Sequence, residues 1–188
     1  DISFKKANDM SALILEGRPL AQKMRSALAG RIAALKRSSG RSPSLAIIAA
    51  DDNPVTSAYI RAKLKACAGV GIEAAVHAMP PVEGAILSLI GTLGRNDAVD
   101  GIILVRPFPN DTNPRRVAEA IPPAKDAEGM SPANYGATFL TKTYAEAASG
   151  ILPCTAFAAI ELLRSAEVPV AGRTATVVGR SNILGKPV

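Results

Sequence analysis

Thr56, Tyr59 and Lys63 are the first residues in the chain whose types and spacing could do chemistry. They follow the apolar stretch 44–50 (SLAIIAA), and Tyr59 and Lys63, four apart, share one face of a helix. A lysine beside a phenol at the mouth of a sheet makes an acid/base unit once burial or a neighbouring cation lowers its pKa. Flanked by Arg61 and Lys65, the same lysine also reads as an ordinary solvated side chain. Spacing alone leaves both readings open.

Two further groups could meet a ligand. Asp126 and Glu128 precede Gly129 after the Pro-rich stretch 121–123. Carboxylates so spaced can accept from the N–H groups of a heterocycle, or can be plain turn residues. The loop 179–187 (GRSNILGKP) is neither a Walker A loop nor a GxGxxG fingerprint: five residues separate its glycines, and Pro187 follows Lys186. Backbone N–H groups of a strand–loop–helix turn bind phosphate, and Arg180 could grip a 2′-phosphate. A surface loop with an ordinary arginine is the competing reading. His77 in an apolar strand pattern and Cys67 at helical apolar spacing read as packed residues. Cys154, at a helix start, reads as packed more readily than as a reactive thiol.

The elements that must position these groups follow from periodicity. Pro19 sits near a helix start, and Leu20, Met24, Leu28, Ile32 and Leu35 recur at helical spacing up to Ser38-Ser39-Gly40. Residues 44–50, 72–79 and 101–105 (GIILV) read as strands. Asp51-Asp52-Asn53-Pro54 starts a helix that runs to about Gly69. Ile86, Leu87, Ile90 and Leu93 mark another, residues 115–121 a short one and 155–166 a further one. This βαβαβ order predicts a mainly parallel α/β sheet with both faces covered and ligands beyond the carboxyl ends of the strands, after Ala50 and Val105. Residues 174–178 (TATVV) read as one more strand, running into the 179–187 loop. One strand cannot bury its own faces, so the chain is expected to be C-terminally incomplete.

Composition narrows the function classes. The chain has 188 residues, is 48% hydrophobic, and has two cysteines, one histidine and a net charge of +6. That scarcity excludes a Cys/His zinc site, so no metal is expected, and it argues for a reducing compartment. The apolar runs are of strand length, so no membrane span is expected. No secretory signal is visible, and the first residue is Asp rather than Met. Residues 1–65 hold 12 Lys/Arg against 5 Asp/Glu, and residues 66–188 hold 10 against 11. The cluster Lys36, Arg37, Arg41 lacks interleaved aromatics and reads as a solvated helix end rather than a nucleic-acid surface.

In order along the chain, five blocks resemble the methylenetetrahydrofolate dehydrogenase/cyclohydrolase family. Residues 52–67 are similar to its Tyr-x-x-x-Lys helix, 100–105 to its DGILVQLPLP strand, 125–129 to its KDVDG turn, 152–155 to its PCTP segment and 178–188 to its GRSNIVGKP loop. The resemblance implies a folate-binding catalytic α/β domain over 1–150, then the start of a Rossmann-like NADP-binding domain over 151–188. It implies a cytoplasmic homodimer that oxidises 5,10-methylenetetrahydrofolate with NADP, and hydrolysis of the methenyl product as a second step. Lys63 would be the central catalytic group, with Tyr59 stacking on or positioning the pterin and Arg106 beside them. Val105, Pro107 and Glu128 would complete the folate site. Gly179, Arg180 and Ser181 would meet the cofactor.

The chain departs from that pattern at Arg106 (Gln in the family), with the following Leu dropped to give Arg106-Pro107-Phe108-Pro109, at Glu128 (Asp) and at Ala156 (Pro). Arg106 is expected to help hold Lys63 neutral by like-charge repulsion, and to pair with Glu128. Unless that pair forms, it would oppose a cationic methenyl folate, and the cyclohydrolase step is expected to be weakened. A folate-binding or regulatory relative without full turnover is the alternative.

Overall fold

The computed structural model describes residues 14–188 apart from 52, 109 and 183, so Asp52, Pro109 and Ile183 of the blocks above lie outside the described residues. Helix α1 (Gly17–Ser39) leads into β1 (Ser44–Ala49), α2 (Pro54–Val70), β2 (Glu73–Ala78), α3 (Glu83–Arg95), β3 (Gly101–Leu104) and α4 (Pro114–Ala120). Three shorter helices follow, α5 (Pro132–Leu140), α6 (Tyr144–Ser149) and α7 (Cys154–Ser165). The strands form a parallel sheet in the order β2-β1-β3.

Apolar alternation along the strands sets which helix covers which face. Ala46, Ile48 and Ala50 of the β1 segment point with Ile102 and Leu104 toward Ile86, Ile90 and Leu93 of α3 and Val117 of α4. Ile47, Ile103 and Val105 point the other way, against Ile60 and Leu64 of α2. The β1-to-β2 and β2-to-β3 crossovers run in opposite directions along the sheet. Right-handed connections therefore put α2 and α3 on opposite faces and open a crevice at the carboxyl ends of the strands. At the opposite end Arg41 grips Asp100 with two hydrogen bonds (2.6 and 2.7 Å), and Asp100 also accepts from the Ser44 N–H. This ties the starts of β1 and β3 together.

Residues 174–178 do not form the expected strand. They pair with no strand among the described residues, and Val178 is almost wholly exposed. A strand is stabilised by its ladder and by a covered face, and these five residues have neither.

Candidate functional site

Local chemistry fixes the start of α2. Asn53 Oδ1 accepts from the Thr56 N–H at 2.9 Å, Pro54 takes the first helical turn, and Asp51 accepts from the Asn53 backbone and side-chain N–H groups. The Thr56 side chain is buried against this cap, and its hydroxyl reaches Asp51 at 3.4 Å. One and two turns later, Tyr59 and Lys63 project beside the ends of β1 and β3.

The carboxylates 126 and 128 arrive from the far side of the sheet. Asp126 continues it through a single parallel bridge to Ile102. Its carboxylate is 1% exposed and accepts from the Ser131 N–H (2.6 Å) and the Asn134 amide (3.0 Å). Asp126 is therefore the anchor of the turn. Glu128 lies two residues on, and its Oε1 is 3.1 Å from Lys63 Nζ with both side chains about a quarter exposed. The turn reverses at Gly129 (φ +67°), where a Cβ would overlap the backbone of Leu152. No other residue type fits there. Lys125 closes the other flank by donating to the carbonyls of Leu93 and Asn96 at the end of α3.

Lys63 Nζ also sits 4.9 Å from the centre of the half-exposed Tyr59 ring. Burial works against its charge, but Tyr59 and Glu128 together outweigh burial and raise the ammonium above its ordinary value. The expectation of a lysine held neutral is thus corrected, because its counter-ion is within hydrogen-bond reach. The expected Arg106–Glu128 pair is corrected as well. Glu128 pairs with Lys63, and the Arg106 guanidinium lies 4.6 Å from the Phe108 ring centre, exposed, after a cis Arg106–Pro107 bond.

These groups wall a cleft of about 550 Å³. Tyr59, Val105, Arg106, Pro107 and Glu128 line it, which is five of the six folate-site residues expected from the sequence; Lys63 is not among the lining residues and meets the cleft through its pair with Glu128. Asn53, Thr56, Met130 and Thr155 line it too. Thr56 is a candidate already from its spacing with Tyr59 and Lys63, Thr155 lies in the PCTP-like block and Asn53 is signalled by the Asn-Pro start of α2, while nothing in the sequence marks Met130. Cys154 lines it as well, its Sγ 3.6 Å from the Ala127 carbonyl oxygen. Burial, and then the neighbouring Glu128, push this thiol up from its ordinary value, away from the reactive thiolate. His77 sits half-buried on β2 opposite Ile48, and Cys67 is half-buried on α2, in keeping with the packed reading of both.

Gly179, Arg180 and Ser181 are not part of this cleft. They open an exposed turn in which the Ser181 hydroxyl accepts from the N–H groups of Leu184 and Gly185, and the Lys186 N–H donates to the Ser181 carbonyl. A Cβ on Gly185 would overlap the Gly179 carbonyl, so the turn closes too tightly for a side chain there. The exposed Arg180 and a hydroxyl still free to donate its own hydrogen suit a phosphate.

The family model for the tetrahydrofolate dehydrogenase/cyclohydrolase catalytic domain matches residues 15–128, and that for the family's NAD(P)-binding domain matches residues 153–188. A bifunctional protein FolD from Polynucleobacter asymbioticus is 38% identical over 181 residues, which are 95% of this chain and 61% of that protein. Among solved structures, the bifunctional FolD methylenetetrahydrofolate dehydrogenase/cyclohydrolase of Campylobacter jejuni superposes with a TM-score of 0.87 at 34% identity, covering 94% of this chain and 61% of that one. The Trypanosoma brucei methylenetetrahydrofolate dehydrogenase-cyclohydrolase, complexed with NADP and an inhibitor, gives 0.84 at 30% identity, over 94% of this chain and 59% of that one. The chain spans about 60% of the length of the curated relatives it matches.

Proposed function

Because the chain belongs to the tetrahydrofolate dehydrogenase/cyclohydrolase family, we propose that the intact protein oxidises 5,10-methylenetetrahydrofolate to the 5,10-methenyl cation. Addition of water to that cation, with loss of a proton, then gives 10-formyltetrahydrofolate. The observation that carries this reading is the Lys63–Glu128 pair, 3.1 Å apart over the Tyr59 ring at the wall of the cleft. The relatives' names supply the reaction, and the cleft supplies a place for it.

In this reading residues 1–150 form the folate domain, and residues from 151 onward begin the cofactor domain. The bridging methylene group loses a hydride. NADP, when bound, supplies the acceptor, and Gly179, Arg180 and Ser181 would hold its phosphate.

Tyr59 presents half its ring to the cleft as a platform for a flat heterocycle. Glu128 accepts from the pterin N–H groups. Lys63 enters the cycle protonated, so it first acts as a hydrogen-bond donor that orients the folate nitrogens. Base chemistry needs its tie to Glu128 loosened. A pterin that engages Glu128 does this: with that counter-ion shared, less opposes the burial that disfavours the charged form, and Lys63 gives up its proton more readily. Binding and activation of the base are then one event. Thr56 and Asn53 hold the helix that aims both side chains.

A cytoplasmic homodimer completes the proposal. The free thiols Cys67 and Cys154 support a reducing compartment. Spectrophotometric assay of both steps on the intact protein tests the reading. NADPH formation that depends on methylenetetrahydrofolate is expected, and its absence with both ligands at saturation contradicts the proposal.

A further inference from the structure

The charges around the cleft are unevenly matched. Arg106 and Glu128 are the charged residues among its lining. In the unliganded cleft Glu128 is paired with Lys63 at 3.1 Å. Asp126, just behind, is buried and turned onto the Ser131 N–H and the Asn134 amide. Asp51, near the start of α2, is taken by the N–H groups of Asn53. Arg106 makes no ion pair among the described residues, and its guanidinium rests on the Phe108 ring at the rim. Arg106 is therefore the one charged residue of the cleft lining that has no ion-pair partner among the described residues.

We propose that Arg106 sets the charge selectivity of the cleft, so that it favours a neutral or anionic heterocycle and disfavours a cationic one. The inference rests on the folate reading above and deepens it. Substrate and product of the oxidation differ by one positive charge at the reacting carbon, while their glutamate carboxylates are shared. A fixed guanidinium therefore weakens the hold on the methenyl cation relative to the uncharged ring system. The methenyl product of the first step is then released more readily, so a smaller share of it takes up water before it leaves. Stacking on Phe108 keeps the guanidinium at the rim at little entropic cost.

The test is competition in the dehydrogenase assay of the intact protein, with tetrahydrofolate as the neutral ring and 5,10-methenyltetrahydrofolate as the cationic one. The readout is the ratio of the two inhibition constants in wild type, R106K and R106Q. R106Q is expected to shift this ratio about tenfold toward the cation, the size set by one unit charge several ångströms away in a half-exposed site. R106K is expected to keep the wild-type ratio, and raised salt to shrink the difference between wild type and R106Q. A residue that served only to pack on Phe108 would change both constants alike and leave the ratio fixed. A ratio indifferent to residue 106, with both ligands bound, overturns this inference alone. A wild-type protein that binds neither ligand overturns the folate reading and this inference with it.

Discussion

The turns 125–131 and 179–187 both carry a glycine that admits no side chain, and both are rich in polar groups that could meet a ligand. They are held in different ways. The first is built into the sheet: Asp126 bridges to Ile102, its carboxylate is buried under two hydrogen bonds, and Gly129 lies against the backbone of Leu152. The second closes on itself through Ser181 and Lys186, beside a stretch with no strand partner among the described residues. The difference teaches that a motif can set its own local shape, while long-range order fixes where that shape points. Glu128 is aimed at Lys63 by the sheet, whereas Arg180 is only presented.

Glycine substitutions would break this comparison most sharply. Gly129→Ala introduces an overlap and a strained φ in a buried turn, and is expected to lower stability by about 3 kcal/mol or to abolish folding. Gly185→Ala has a similar local overlap but is expected to leave the melting temperature nearly unchanged. Denaturation followed by circular dichroism distinguishes them, and equal losses would refute the contrast.

Ligand affinity gives the next largest effect. Arg180→Ala is expected to weaken NADP binding roughly tenfold, as removal of a charged hydrogen bond does, with the fold intact. Fluorescence titration of NADPH measures it, and an unchanged affinity removes Arg180 from the cofactor site.

Much of this was legible in the sequence because it is local. Asn53-Pro54 and Gly40 mark helix ends that the structure places within a residue or two of the expected positions. The alternation in residues 44–50 gives the two faces of β1. Helices α5 and α6 were not read, since they are short and bury no residue fully, leaving weak periodicity. The partner of Glu128 was missed for a different reason. Lys63 lies 65 residues away, and the choice between it and Arg106 depends on where β3 ends and how residues 106–108 turn. Spacing along the chain carries no information on that. The same holds for the protonation of Lys63, which follows from its partner rather than from its neighbours in sequence.

Removal of that partner sharpens the account of the sheet-held turn. Glu128→Gln deletes the carboxylate that helps raise Lys63 and leaves burial as the largest influence. The Lys63 ammonium is then expected to titrate at lower pH than in the wild type, by heteronuclear NMR of the labelled side chain. An identical titration in both proteins would show that Glu128 does not control it.

The smallest effect lies at the far end of the sheet. Arg41, then the Ser44 N–H, hold the Asp100 carboxyl below its ordinary value against the opposing effect of burial. A lowered folded-state pKa adds stability above the unfolded value and loses it as pH falls through the folded one. Asp100→Asn is therefore expected to destabilise the protein slightly at neutral pH, with the deficit vanishing in acid. The pair is exposed, so added salt should shrink it. A deficit that persists unchanged in acid would contradict the ion-pair explanation.

The central claim is that the ammonium at position 63, held by Glu128 over Tyr59, acts on a folate in the cleft. NADPH formation from 5,10-methylenetetrahydrofolate by intact Lys63→Met protein, with tetrahydrofolate affinity measured alongside, tests it most directly. The account predicts a rate at least about a hundredfold below wild type, the scale of a lost acid/base group, with tetrahydrofolate still bound. A variant that turns over at the wild-type rate would contradict it.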